Sequence, residues 1–328
     1  MNAAGVVRIR REIALARRIL LTTHQNPDGD GIGSEIALAA YLRSAGKPPL
    51  ILNPDPLPER YRFLDPGGEV GTFDEKGGTG PVKSCDLIFM LDNSSPNRLG
   101  KMEGAIRGSE AVRICIDHHD TTDGFWTVNL IDESACATGE IIYDLVCALG
   151  GVLDLPSAVA LYTALVTDTG HFRFSKTSSR SHRIVADLLR MGVDPARVYQ
   201  AVYEQHSEGF VRLLGQALAG CRLEPGGALA WIALTQRQIV DCRAEEADTS
   251  EMVNHLFTIR GVRLGLLFKE LPDGKVKVSL RSKGEIDVNR VAGRYGGGGH
   301  QNASGAVLDG PLEEAARRVV ADAKKILP

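Results

Sequence analysis

A chain of 328 residues is long enough for two domains of ordinary size, each with its own core. With 43% apolar residues and 38 basic against 41 acidic side chains, it has neither a disordered composition nor the cationic track of a protein that holds long duplex nucleic acid. No run approaches the roughly 20 apolar residues that span a bilayer, and residues 1–11 lack the apolar centre of a secretory signal, so a cytoplasmic protein with small substrates and no membrane partner is expected.

In chain order, residues 19–23 form an apolar run that reads as a buried strand. It delivers His24-Gln25-Asn26-Pro27-Asp28-Gly29-Asp30-Gly31-Ile32-Gly33-Ser34 into a helical pattern over about 34–45. Pro27, Gly29, Gly31 and Gly33 favour a turn over a helix, which lets His24, Asp28 and Asp30 converge on a point. One imidazole and two carboxylates suit a hard divalent ion such as Mn2+. Alone, the stretch reads equally well as an Asx-rich turn capping the helix. A second strand, 86–91, ends in Asp92, which by itself is an ordinary strand-end cap. A third, 112–116, ends in Asp117-His118-His119-Asp120. Two imidazoles and two carboxylates in four residues are costly to hold together unless a metal or phosphate uses them. An apolar helix over 159–166 ends at Asp168, weak evidence on its own. Four successive element ends carrying the ligand types of one site nevertheless match the rule for open α/β sheets, in which ligands sit outside the carboxyl ends of the strands.

Strand patterns alternate with helices near 34–45, 137–149, 156–166 and 179–191, the sign of an α/β fold with a parallel sheet flanked by helices. The expected division is a domain over 1–193, a linker over 194–212 and a smaller mixed α/β domain over 213–328. In the last, strands at 262–270 and 275–281 are joined by Pro272-Asp273-Gly274, a hairpin signal, and a helix over 312–326 carries a packing face of Leu312, Ala315, Ala316, Val319, Val320 and Ala323. The glycines 296–299 before His300 read as a phosphate or nucleotide loop, with backbone N–H groups near an anion and Arg281 adding a bidentate contact. The six cysteines form no CxxC pair and read as small buried hydrophobes.

Asp117-His118-His119, preceded by the HxxxDxD pattern of His24, Asp28 and Asp30 and by Asp92, and followed by Asp168, resembles the DHH family of phosphoesterases. Residues 279–282 and 296–305 resemble the substrate loop of that family's DHH-associated C-terminal domain. The resemblance implies an active site in the cleft between the two domains. One metal would take His24, Asp28 and Asp92; a second would take Asp30, Asp92, His118 and Asp168, with Asp92 bridging. Two cations, Mn2+ above all, would sit about 3.5–4 Å apart and activate water. His119 would contact the scissile phosphate, supported by Asp117. Arg98 reads equally as a phosphate contact and as a surface arginine, while Arg281, Ser282, Gly298, Gly299 and His300 would grip the other end of the substrate. Within the family, length and domain pairing are similar to the nano-RNases. These hydrolyse short oligoribonucleotides such as pApA to nucleoside 5'-monophosphates and 3'-phosphoadenosine 5'-phosphate (pAp) to AMP. The alternatives are a cyclic-di-AMP phosphodiesterase, a manganese-dependent inorganic pyrophosphatase and a non-enzymatic nucleotide sensor. The oligomeric state stays open, a homodimer included.

Overall fold

The computed structural model describes residues 3–119, 124–244 and 249–327. The chain divides into two units, Met1–Gln205 and His206–Pro328.

The first unit is organised around two central strands buried on both faces. Its strands are β1 (Ile19–Thr22), β2 (Leu50–Asn53), β3 (Val70–Thr72), β4 (Leu87–Leu91), β5 (Val112–Asp117) and β6 (Val128–Ile131). Every residue of β4 is buried and apolar, so both of its faces must be covered. Leu87, Phe89 and Leu91 enter one core, Ile88 and Met90 the other, as the two-residue period of a strand requires. The sheet is parallel throughout and ordered β3-β2-β1-β4-β5-β6. The helices are α1 (Ala3–Leu15), α2 (Gly29–Ser44), α3 (Gly80–Lys83), α4 (Glu103–Arg107), α5 (Thr138–Leu149), α6 (Leu155–Asp168), α7 (Ser179–Arg190) and α8 (Pro195–Tyr203). Residues of α1, α2, α5, α6 and α7 fill one core and residues of α3 and α4 the other. The strand order reverses between β1 and β4. Connections there leave toward opposite sides, which opens a crevice at the carboxyl ends of these strands.

The stretch through Gly33 was expected to be a turn, with the helix starting near 34; instead α2 begins at Gly29. Asp28 caps it, its Oδ1 accepting from the N–H groups of Asp30 and Gly31 at 3.1 Å each. The glycines serve close packing. A Cβ at Gly29 would lie 2.5 Å from Thr167 Oγ1, at Gly31 2.3 Å from Thr23 Oγ1, and at Gly33 2.3 Å from the Ala160 carbonyl oxygen. The last of these lets α2 lie directly on the backbone of α6.

The second unit holds β7 (Arg222–Leu223), β8 (Leu229–Leu234), β9 (Leu264–Glu270), β10 (Val276–Ser282), β11 (Gly298–His300) and β12 (Ala303–Leu308), in the order β11-β12-β10-β9-β8-β7. β8 and β9 are parallel and the other neighbours antiparallel, so the sheet is mixed. The β9–β10 hairpin turns at Gly274, whose φ of 81° favours glycine. Its helices are α9 (Glu208–Ala219), α10 (Gln236–Cys242), α11 (Asn289–Gly293) and α12 (Leu312–Lys324). The six apolar positions of α12 named from its periodicity are all buried.

Residues 194–212, read as a linker, are mostly helical: α8 buries Val198 and Val202 in the first unit, and α9 buries Phe210 in the second. Cys85, Cys115, Cys136 and Cys242 are buried free thiols, but Cys147 is exposed, because it lies off the buried stripe of α5, and Cys221 is half-buried. Among the described residues no helix is long and apolar enough to cross a membrane.

Candidate metal centre

Three strand ends and two helix ends meet at the crevice. β1 leads into His24, α2 starts with Asp28 as its cap and Asp30 in its first turn, β4 leads into Asp92, β5 into Asp117-His118-His119, and α6 finishes at Asp168. Asp92 adopts a left-handed backbone conformation (φ 59°), which only a few residue types other than glycine tolerate, Asp among them. Its N–H donates to the Ile116 carbonyl at 3.0 Å.

The two histidines turn the same ring nitrogen toward the aspartates. His24 Nδ1 is 2.8 Å from the Gln25 carbonyl oxygen, which can only accept, so that nitrogen carries the proton. In the neutral ring Nε2 then turns a lone pair toward Asp92 Oδ2 at 3.4 Å and Asp28 Oδ2 at 3.6 Å. His118 repeats the arrangement. Its Nδ1 is 3.3 Å from the Ala135 carbonyl oxygen, and its buried Nε2 has no hydrogen-bond partner although Asp168 Oδ2, Asp92 Oδ1 and Asp30 Oδ2 lie 3.3, 3.6 and 3.8 Å away. Burial, reinforced by the charges of His119 and Lys176, pulls His118 down to about 4, so at pH 7 its ring does not supply a positive charge to the surrounding carboxylates. The carboxylates carry the matching strain. Burial, then repulsion from the other aspartates, pushes Asp30 and Asp92 well above the usual range, and burial with the charge of Asp28 raises Asp168 to about 7. Lone pairs and like charges converging on buried points are relieved by cations.

Three sets of donor atoms each lie within 4.8 Å of one another: His24, Asp28 and Asp92; Asp30, His118 and Asp168; and Asp92, Asp117, His118 and His119. Imidazole and carboxylate donors fit hard or borderline divalent ions. The six residues expected as ligands are thus brought together. Asp117 is turned differently: its Oδ1 accepts from the N–H groups of His118 (2.7 Å) and His119 (3.2 Å) and from His119 Nδ1 (2.7 Å). Burial opposes its ionisation, yet the His119 hydrogen bond and charge outweigh that and hold it below its usual value. Asp120 lies outside the described residues.

Further groups at the centre carry no motif in the sequence. The backbone N–H groups of Thr138 and Gly139 donate to Asp30 Oδ2 (2.6 Å) and Oδ1 (2.8 Å), and Thr138 Oγ1 donates to Asp92 Oδ1 (3.1 Å). Asp30 thereby caps α5, whose own cap residue, Ala137, has no side chain able to do so. A helix start without a capping residue is the sequence signal that was available. Lys176 Nζ donates to the His118 carbonyl oxygen at 3.0 Å, tying the segment after Asp168 to the end of β5. Behind His24, Asn53 Oδ1 accepts from Thr23 N–H at 3.0 Å, while Asn53 Nδ2 donates to the buried Glu35 at 2.8 Å.

Arg98 lies in the 3-10 segment Pro96–Met102, its carbonyl accepting the Gln25 N–H at 2.7 Å, so its backbone is fixed beside His24. In the second unit Arg281 and Ser282 end β10, and the Ser282 hydroxyl donates to the Ile286 carbonyl while accepting from Asn302 Nδ2 at 2.9 Å. Gly298, Gly299 and His300 form β11, paired with β12, so the last two glycines of the run lie in a strand. A Cβ would lie 2.1 Å from the Gly305 carbonyl at Gly297 and 2.5 Å from the Ala303 carbonyl at Gly299, whereas at Gly298 the nearest atom is 3.8 Å away. The close β12 backbone therefore accounts for Gly297 and Gly299, and Gly298 keeps an open approach.

Residues 18–193 match the model of the DHH family N-terminal domain and residues 235–327 that of the DHHA1 domain. A bifunctional oligoribonuclease and PAP phosphatase NrnA from Thermus thermophilus is 33% identical over 303 residues, covering 92% of this chain and 88% of the relative. The protein of the same name from Bacillus subtilis is 28% identical, covering 91% of each chain. The crystal structure of an exopolyphosphatase-related protein from Bacteroides fragilis superposes with a TM-score of 0.94 at 28% identity, covering 98% of this chain and 96% of the other. The chain belongs to the DHH family of phosphoesterases and carries a DHHA1 domain as its C-terminal part.

Proposed function

We propose that the protein hydrolyses short oligoribonucleotides to nucleoside 5'-monophosphates and pAp to AMP, using two divalent cations, with Mn2+ the best match to the donors. One observation carries the two-ion reading: Asp92 presents Oδ2 to His24 and Oδ1 to His118, one oxygen to each imidazole. His24, Asp28 and Asp92 would hold one ion, and Asp30, Asp92, His118 and Asp168 the other. When bound, such a pair neutralises phosphate charge and makes water nucleophilic at neutral pH.

The chain's own groups do the rest. Asp117 fixes the His119 ring through Nδ1 and turns Nε2 away from itself, and from there His119, when both ring nitrogens carry protons, donates to an oxygen of the scissile phosphate as charge develops. Thr138 and Gly139 hold Asp30 and Asp92 in place, so the donors need not reorganise during reaction. Arg98 adds a cation beside the His24 loop for a second phosphate oxygen. Arg281, Ser282, Gly298, Gly299 and His300 bind the non-scissile end of the substrate. The names of the relatives from Thermus thermophilus and Bacillus subtilis support this substrate class.

The test is a panel of pApA, pAp, cyclic-di-AMP and pyrophosphate at one Mn2+ concentration. Turnover of pApA and pAp is expected, with Arg281→Ala and His300→Ala raising KM for pApA more than they lower kcat. Turnover of pyrophosphate or cyclic-di-AMP alone overturns the assignment.

A further inference from the structure

We infer that Arg180, which no part of the mechanism above uses, is a positioning residue for one of the two ion sites; the inference rests on the metal reading given above. It acts through Glu140 and the turn 135–139 on Asp30, Asp92 and His118, and leaves His24 and Asp28 untouched.

The path can be followed atom by atom. Arg180 lies in the first turn of α7, just after the Ser178 capping box that sets the start of that helix. Its guanidinium meets three carboxylates: Nη1 is 3.0 Å from Asp132 Oδ2, Nη2 contacts Asp144, and Nε makes an ion-pair contact with Glu140 Oε1 at 2.9 Å. Asp132 and Asp144 keep partial access to water, but the Glu140 side chain is only 1% exposed. A buried carboxylate needs a counter-charge, and Arg180 supplies it. The other oxygen of Glu140, Oε2, accepts from Cys136 N–H at 3.2 Å and from the Cys136 thiol at 2.9 Å. Cys136 stands between Ala135, whose carbonyl holds His118 Nδ1, and Ala137-Thr138-Gly139, whose N–H and hydroxyl groups hold Asp30 and Asp92. One five-residue turn therefore orients three of the six metal-ligand candidates, and the Glu140–Arg180 pair pins that turn from behind. Gly139 shows how little slack it has: a Cβ there would lie 2.6 Å from Ala164 Cβ and 3.4 Å from Asp30 Oδ1. No hydrogen bond from this turn reaches His24, whose Nδ1 is held by Gln25, or Asp28, which caps α2.

A planar fork that spans three carboxylates cannot be replaced by a single ammonium. Arg180→Met removes the counter-charge of Glu140 at similar length, and Arg180→Lys keeps a charge but loses the fork. The experiment is calorimetric Mn2+ titration of the metal-free full-length protein, with thermal midpoints measured without and with Mn2+. The wild type should show two binding steps. Arg180→Met should weaken one of them by about 10- to 100-fold, the range for supports behind metal ligands, and affect the other much less, since of His24, Asp28 and Asp92 only Asp92 is tied to the turn. Arg180→Lys should give a smaller loss at the same step, and it decides the matter if Arg180→Met does not fold. Unchanged binding of both ions in the variants, or equal weakening of both, overturns the inference while the metal reading stands. A wild-type protein that takes up no Mn2+ overturns the metal reading itself.

Discussion

Replacing Gly33 by alanine tests whether the contact of α2 with α6 sets the spacing of the centre. The new Cβ would lie 2.3 Å from the Ala160 carbonyl oxygen and 3.1 Å from Ala164 Cβ, and ordinary contact begins at 3.4 Å, so the helices must part by 3.4 minus 2.3, or 1.1 Å. Backbone cannot swing aside as a flexible side chain can, and overpacking of this kind costs about 1–3 kcal/mol. For a unit of this size each kcal/mol lowers the melting midpoint by roughly 2–4 °C, so a fall of about 2–12 °C is expected. Function should fall further than stability, because α2 carries Asp30 and α6 ends at Asp168. A misplacement of about 1 Å in catalytic groups can cost roughly 100-fold in rate. Thermal unfolding and the kcat/KM for pApA measure the two effects, with Gly104→Ala, whose Cβ meets nothing within 4 Å, as the control. A Gly33→Ala protein with the wild-type midpoint and kcat/KM would refute the idea that this contact fixes the site.

Two further outcomes are expected. Glu35 is fully buried, and burial, offset in part by the Asn53 hydrogen bond, raises its carboxyl from 4.5 to about 8. The folded protein then keeps a proton that the unfolded chain releases near 4.5, so this stabilisation is complete below that pH and is lost as pH rises through about 8, by at most about 1.4 kcal/mol per pH unit. Glu35→Gln removes the slope: urea midpoints of variant and wild type should diverge between pH 5 and 9, and a constant offset would show that Glu35 is already ionised. Lys176→Ala should lower kcat/KM for pApA by about 10-fold with a stability loss of only about 1 kcal/mol, since it breaks one hydrogen bond to the His118 carbonyl at the rim. Wild-type kinetics in that variant would mean that Asp168 and His118 need no tie between them.

The parallel sheet was legible because β1, β4 and residues 114–116 of β5 are apolar runs that end abruptly before ionisable residues, and a strand segment buried on both faces carries such residues only at its ends. That Asp30 belongs to a helix was hidden, since glycine serves both a turn and a helix pressed against a backbone, and only the positions of Thr167, Thr23 and Ala160 separate the two. The glycines before His300 carry the same ambiguity: at Gly297 and Gly299 the β12 backbone excludes a Cβ, whereas Gly298 has open space. Least visible was the turn 135–139. Its contribution comes mainly from backbone N–H groups, which every residue has, and from Glu140 and Arg180, 40 residues apart in the chain and unremarkable as a pair until α5 and α7 stand together.

In the two-ion reading, Asp92 joins both cations in one centre. Anomalous scattering from crystals of the full chain soaked in Mn2+, collected for wild type and Asp92→Ala, tests it most directly. Two peaks are predicted in the wild type, one among His24, Asp28 and Asp92 and one among Asp30, Asp92, His118 and Asp168, with loss of at least one peak in the variant. A single peak or none in the wild type, or two undiminished peaks in Asp92→Ala, would contradict it.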